Sequence, residues 1–208
     1  AYGQLVKRGV LDAFPQGMVG VHPSLLPKYR GAAPVAGALL NGERRTGLTI
    51  FRMNERLDAG EILLQEPIAI ELEEDAAGLT ARLASLGADA LVRALDALAE
   101  GGVHPVPQDE AQATYAPKLT KTQGRIDWTR PAEAIARLVR ATNPWPGAVS
   151  AFHGQPLRIW RSAIGLTPRA GAAPGTVVGV ELDRLIVASG DGTVAITDVQ
   201  PAGRRRLS

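Results

Sequence analysis

The densest group of chemically capable side chains lies in Val21-His22-Pro23-Ser24-Leu25-Leu26-Pro27-Lys28-Tyr29-Arg30-Gly31-Ala32-Ala33-Pro34. A short apolar run ends at His22. A serine, a tyrosine, two cations and three prolines then follow before a segment suited to a helix. An imidazole at a strand end can donate a hydrogen bond or a proton to a reacting group. Taken alone, His22 reads as a hydrogen-bonded structural histidine; the crowd of polar groups beside it shifts the reading toward chemistry. Lys28 and Arg30 either face anionic substrate groups or are solvated.

The second stretch is Gly47-Leu48-Thr49-Ile50-Phe51-Arg52-Met53-Asn54-Glu55-Arg56-Leu57-Asp58-Ala59-Gly60-Glu61-Ile62-Leu63. A strand runs into a loop bearing Asp58, and Gly60 lets the backbone turn or approach a ligand closely. In isolation Asp58 is a solvated turn residue. Its value depends on a partner, and His22 lies thirty-six positions upstream.

The elements that must bring these groups together follow from the apolar pattern. Val19 to His22 reads as a buried strand, Ala33 to Leu40 as a helix and Leu48 to Met53 as a strand. Ile62 to Gln65 and Ile68 to Glu71 read as a strand pair. Ala76 to Gly101 has helical periodicity, with Leu79, Leu83, Leu86, Leu91, Leu95 and Leu98 near one face and a stop at Gly101-Gly102. This alternation predicts an α/β sheet, whose ligand crevice lies at the carboxyl ends of its strands. Val103 to Glu110, with two prolines, suits an extended linker. Beyond it, Pro131 to Thr142 predicts a helix with Ile135, Leu138 and Val139 on one face. Short strands follow at Ala148–Phe152, Leu157–Arg161, Thr176–Val180, Leu185–Ala188 and Thr193–Val199, with Gly190-Asp191-Gly192 as a hairpin turn. Their spacing predicts a small barrel or sandwich.

Composition narrows the classes. The chain has 208 residues, no cysteine and three histidines, His22, His104 and His153. Disulfides and thiol catalysis are therefore excluded, and the histidines are too widely spaced for a local metal-ligand pattern. No apolar run is long enough to span a membrane. The net charge of +2 hides a split: residues 1–117 carry 10 basic and 15 acidic side chains, a net of −5, and residues 118–208 carry 13 and 6, a net of +7. A basic half of this kind either attracts a polyanion such as RNA or is merely a solvated, arginine-rich surface.

The two stretches together resemble the folate-dependent formyltransferase family, in which an Asn-x-His strand end, a Ser-Leu-Leu-Pro loop and a Leu-Asp-x-Gly-Asp/Glu loop build the active site. The matching residues are His22, Ser24-Leu25-Leu26-Pro27 and Leu57-Asp58-Ala59-Gly60-Glu61. Tyr115 to Thr120, Arg125-Ile126-Asp127-Trp128 and Asn143-Pro144-Trp145-Pro146-Gly147 resemble the C-terminal region of the methionyl-tRNA formyltransferase branch. The resemblance implies an α/β fold in which a partial Rossmann-like sheet precedes a small C-terminal β-barrel of OB type. It implies domains at 1–102 and 118–208 joined by a linker at 103–117. It further implies that His22 is a catalytic donor or acid, that Asp58 orients it and assists proton movement, and that Ser24, Leu25, Leu26 and Pro27 line a folate pocket, largely through backbone contacts. The co-substrate would be 10-formyltetrahydrofolate, with no metal, the partner initiator methionyl-tRNA, and the protein a cytoplasmic monomer serving translation initiation. Trp128 and Trp145 are expected in the core.

Two departures are visible. Gly20 stands where the family has asparagine, which removes an oxyanion donor whose loss typically lowers turnover about 100- to 1000-fold. Both ends also look cut, so a longer native protein, an exposed sheet edge and little formylation by the isolated chain are expected. The alternatives are another folate-dependent amine formyltransferase and a non-catalytic tRNA-binding remnant.

Overall fold

A computed structural model describes residues 5–168 and 171–208. Its elements in order are α1 (Arg8–Leu11), β1 (Val19–His22), α2 (Pro34–Leu40), β2 (Arg45–Arg52), β3 (Ile62–Ala69), α3 (Ala76–Ala99), α4 (Ala132–Thr142), β4 (Ala148–Phe152), β5 (Gln155–Ile164), β6 (Val177–Glu181), β7 (Arg184–Ala188) and β8 (Thr193–Pro201). The chain divides into two compact units, the first holding 1–38, 43–71 and 78–118, the second 39–42, 72–77 and 119–208. No helix among the described residues is long and apolar enough to cross a membrane, and no group of three or more His, Cys, Asp or Glu among them is placed to hold a metal ion.

In the first unit three strands pair in the order β1-β2-β3, both pairings antiparallel. Thr46 to Phe51 are all buried, as a central strand covered on both faces requires. β3 alternates between half-buried and exposed positions, and it is one strand where the sequence suggests two. The apparent break at Glu66-Pro67 is tolerated because β3 is an edge strand, where a missing N–H need not interrupt the ladder. β1 also lies at an edge, with Val21 46% exposed, so it is not the buried strand expected.

α3 departs from its sequence pattern. The buried face is Leu79, Leu83, Gly87, Ala90 and Ala94, while Leu95 is exposed. A Cβ on Gly87 would already touch Val21 and Leu48 at 3.4 and 3.6 Å, so the helix lies too close to the sheet for leucines there. The segment read as a linker is extended but not loose. Val106 exchanges two backbone hydrogen bonds with Ile62, at 2.8 and 2.9 Å, and Thr114 and Ala116 bracket Arg30 with bonds of 2.8 Å each.

In the second unit the sheet order is β4-β5-β8-β7-β6, antiparallel throughout. Among the described residues no pairing joins β4 to β6, so the ladder stops short of the closed barrel expected. The helix and strands fall close to their predicted positions, and Ala188 and Thr193 flank the hairpin at Gly190-Asp191-Gly192. Asp191 Oδ1 accepts the Ala132 N–H at 2.8 Å, capping the start of α4. Ile135, Val139, Ala148, Ile159, Val187, Val194 and Ile196 form the core, with Trp128 packed against it. Trp145 is 50% exposed and does not belong to that core, contrary to expectation.

Candidate active site

His22 closes β1 opposite Thr49 of β2 and is 5% exposed. Its Nε2 lies 2.9 Å from the Tyr29 carbonyl oxygen, which can only accept, so Nε2–H donates. The other ring nitrogen, Nδ1, faces Asp58 Oδ2 at 3.6 Å. That gap is longer than a hydrogen bond. The Tyr29 carbonyl therefore fixes the ring, and Asp58 stands beside the nitrogen left for chemistry.

Asp58 has its own anchor, because Oδ2 accepts the Gly31 N–H at 2.8 Å. Its backbone is left-handed, with φ +47°, a conformation aspartate tolerates better than most residues. Gly60 explains the loop's path. A Cβ there would lie 1.6 Å from the Arg52 carbonyl oxygen, so only glycine fits.

The Ser24–Pro27 loop is locked to the sheet. Thr49 Oγ1 donates to the Ser24 carbonyl at 2.7 Å and accepts from the Leu26 N–H and Gln65 Nε2, each at 3.0 Å. Gln65 Nε2 also donates to the Leu26 carbonyl at 2.8 Å. Ser24 is fully buried, with Oγ donating to the Lys28 carbonyl at 2.5 Å. Leu25 is half-buried and Leu26 buried, with Pro27 half-buried beside them. With these backbone groups bonded inside the protein, what the loop offers a ligand is mainly its shape and apolar surface.

Of the two roles open to them, Lys28 takes the solvated one and Arg30 takes neither. Lys28 pairs at the surface with Glu43 at 3.3 Å. Arg30 is fully buried, its guanidinium divided between Gln108 Oε1 (3.1 and 2.7 Å) and the Glu110 carboxylate (3.2 and 2.9 Å). Arg56 adds a bond to Glu110 at 2.6 Å. The hydrogen bond from Arg30, then that from Arg56, pulls the Glu110 carboxyl down to about 2. The Glu110 bond in turn holds the Arg30 guanidinium above its usual range. Gln108 and Glu110 drew no attention in the sequence because a polar triplet inside a proline-rich stretch carries no signal of what it will contact.

Position 20 is occupied in an unexpected way. Gly20 pairs with Phe51, and a Cβ built on Gly20 would lie 2.6 Å from the Phe51 ring, which is itself buried. The aromatic edge fills the space that an asparagine side chain would need. A cavity of about 590 Å³ opens elsewhere in the first unit, between Arg8, Phe14, Met18, Arg52 and Met53, and includes neither His22 nor Asp58.

Comparison with known proteins places the chain in a family. Residues 1–95 match the formyl transferase family and residues 118–208 the formyl transferase C-terminal domain. The chain is 49% identical over 206 residues to methionyl-tRNA formyltransferase of Solibacter usitatus, covering 99% of this chain and 65% of that protein. It is 44% identical over 209 residues to methionyl-tRNA formyltransferase of Chloroflexus aurantiacus, covering 100% of this chain and 67% of that one. It thus spans roughly two thirds of the curated relatives it matches. Among solved structures, Aquifex aeolicus HypX in complex with tetrahydrofolic acid shares the fold, with a TM-score of 0.69 at 23% identity over 91% of this chain and 33% of its own.

Proposed function

The chain belongs to the formyl transferase family, and from that premise we propose that it serves the transfer of a formyl group from 10-formyltetrahydrofolate to the amino group of methionyl-tRNA, the step that prepares an initiator for translation. The observation that carries the reading is the convergence of His22 Nδ1 and Asp58 Oδ2 to 3.6 Å at the carboxyl end of β1.

Formyl transfer needs little more than these two groups can supply. The amine attacks the formyl carbon, a tetrahedral intermediate carries an oxyanion, the amine loses a proton, and the folate N10 takes up a proton as the carbon–N10 bond breaks and the carbonyl re-forms. A donor aimed at the oxygen and an acceptor for the proton are the minimum. Within this reading His22 acts in its doubly protonated form, Nε2–H on the Tyr29 carbonyl and Nδ1–H donating to the oxyanion, and Asp58, held by the Gly31 N–H, takes up the amine proton. Ser24 to Pro27 line the folate pocket by shape.

The second unit provides the polyanion surface. Arg125, Arg130, Arg161, Arg184, Arg204 and Arg205 are exposed. The end of the chain is pinned rather than frayed, since Leu207 bridges to Val199 and Arg206 pairs with Asp198 at 2.7 Å.

A second reading, a tRNA binder without turnover, is favoured by the Phe51 ring over Gly20. One assay separates them: labelled formyl transfer by the protein expressed from its whole reading frame, offered methionyl-tRNA and free amines in parallel. We expect methionyl-tRNA to be formylated, with His22→Ala and Asp58→Asn each lowering kcat/KM by about 100- to 10,000-fold. Formylation of small amines alone would assign another acceptor, and binding of tRNA without transfer would assign the remnant.

A further inference from the structure

The Gln108 side chain makes four hydrogen bonds beside the candidate site, and the residue lies between the two regions matched to family domains. Its Oε1 accepts from Arg30 Nε and Nη2 at 3.1 and 2.7 Å. Its Nε2 donates to the Asp58 and Gly60 carbonyls at 2.9 and 2.7 Å. A carboxamide has two donor hydrogens and two acceptor lone pairs, and here all four are used. The orientation is unambiguous, because turning the amide over would set N–H against guanidinium and oxygen against two carbonyls.

These bonds tie together loops that are remote in sequence. Arg30 belongs to the loop whose Tyr29 carbonyl holds His22 and whose Gly31 N–H holds the Asp58 carboxylate. Asp58 and Gly60 belong to the other loop. A side chain from residue 108 bridges them through backbone carbonyls, touching neither the imidazole nor the carboxylate. We propose that Gln108 is a positioning residue, a clamp that sets the Asp58 loop at its working distance from His22 and holds Asp58 in its left-handed conformation. The proposal deepens the formyl-transfer reading and rests on it for what the distance is used for. The clamp itself exists independently of turnover.

Gln108→Glu separates clamping from packing. The carboxylate keeps the shape and still accepts from Arg30, yet it presents an oxygen to the Asp58 and Gly60 carbonyls and loses both donors. The reporter is the Gly31 amide, observed by proton–nitrogen NMR on the 208-residue protein, since that N–H bonds directly to Asp58. We expect Gln108→Glu to move the Gly31 amide proton upfield and to speed its solvent exchange on the order of 10-fold, the effect of losing a hydrogen bond's worth of restraint, with Tm changed by no more than a few degrees. Glu110→Gln, which weakens the Arg30 pair but leaves Gln108 untouched, should not move it. Gln108→Met, of similar length and without hydrogen bonds, serves if the glutamate variant does not fold. A Gly31 amide unmoved in both Gln108 variants, or moved equally by Glu110→Gln, overturns the clamp. Transfer activity insensitive to His22→Ala and Asp58→Asn would instead remove the formyl-transfer reading and leave the clamp standing.

Discussion

Glu110 sits half exposed, with 50% of its side chain open to solvent, between a buried guanidinium and a surface one. The buried partner decides its behaviour. Arg30 cannot lose its charge and has no water around it, so the ionised carboxylate is the form that satisfies it. The Glu110 carboxyl is held at about 2, below its ordinary 4.5. A carboxyl depressed in the folded state contributes stability that is complete above the unfolded value and drains away as pH falls toward the folded one. The window therefore runs from about 4.5 down to about 2. Thermal melts at pH 6 and pH 3 should show the wild-type protein losing stability more steeply than Glu110→Gln, which has no such proton to take up. Added salt should narrow the difference, because the carboxylate is exposed. Parallel curves for the two proteins across that window would remove Glu110 from the account.

The pairing of β1 with β2 places Gly20 directly across from Phe51, and the ring edge lies where a side chain on residue 20 would begin. Restoring the family asparagine alone therefore drives a Cβ into a buried aromatic ring. Gly20→Asn is expected to destabilise the protein by about 1–3 kcal/mol, the usual range for overpacking. Gly20→Asn with Phe51→Leu should recover most of that and is the variant in which a rise in transfer rate can be sought. Denaturant unfolding of the single and double variants checks the first statement; equal stability of the single variant and wild type would show that the ring moves aside freely. The same element shows what the sequence could and could not tell. His22, Asp58 and the Ser24–Pro27 loop could be singled out because each falls within a short local motif, and the strands of the second unit were legible because turn residues punctuate them. The close approach of α3 at Gly87 and the bonding of Gln108 to Asp58 were not. Neither depends on a local pattern; both depend on distances across the fold that no periodicity encodes. Leucines drew attention on α3 by size, whereas the contact distance to Val21 and Leu48 selects small residues.

Charge is unevenly divided along the chain, with a net of −5 over residues 1–117 and +7 over 118–208. The net charge of the whole is too small to attract a polyanion strongly, so any attraction must come from the basic part, where most arginines are exposed. Binding of tRNA through phosphates releases condensed counterions, and the logarithm of affinity then falls linearly with that of salt, by somewhat under one unit per phosphate contacted. Not every arginine should count. Arg206 is committed to Asp198 at 2.7 Å and sits 5.2 Å from the centre of the Trp160 ring, which Arg158 covers at 3.9 Å. Its removal should weaken the fold around Trp160 as well as any phosphate contact. Arg204 and Arg205 are exposed neighbours of that anchored residue. Arg204→Ala and Arg205→Ala should each make the salt slope shallower by up to about one unit while leaving Tm unchanged. Arg206→Ala should lower Tm and change the slope less. Filter or fluorescence titrations of tRNA at several salt concentrations give the slopes, and thermal melts give the stability. A complex indifferent to salt, or slopes untouched by all three substitutions, would mean that tRNA is held by something other than this basic surface.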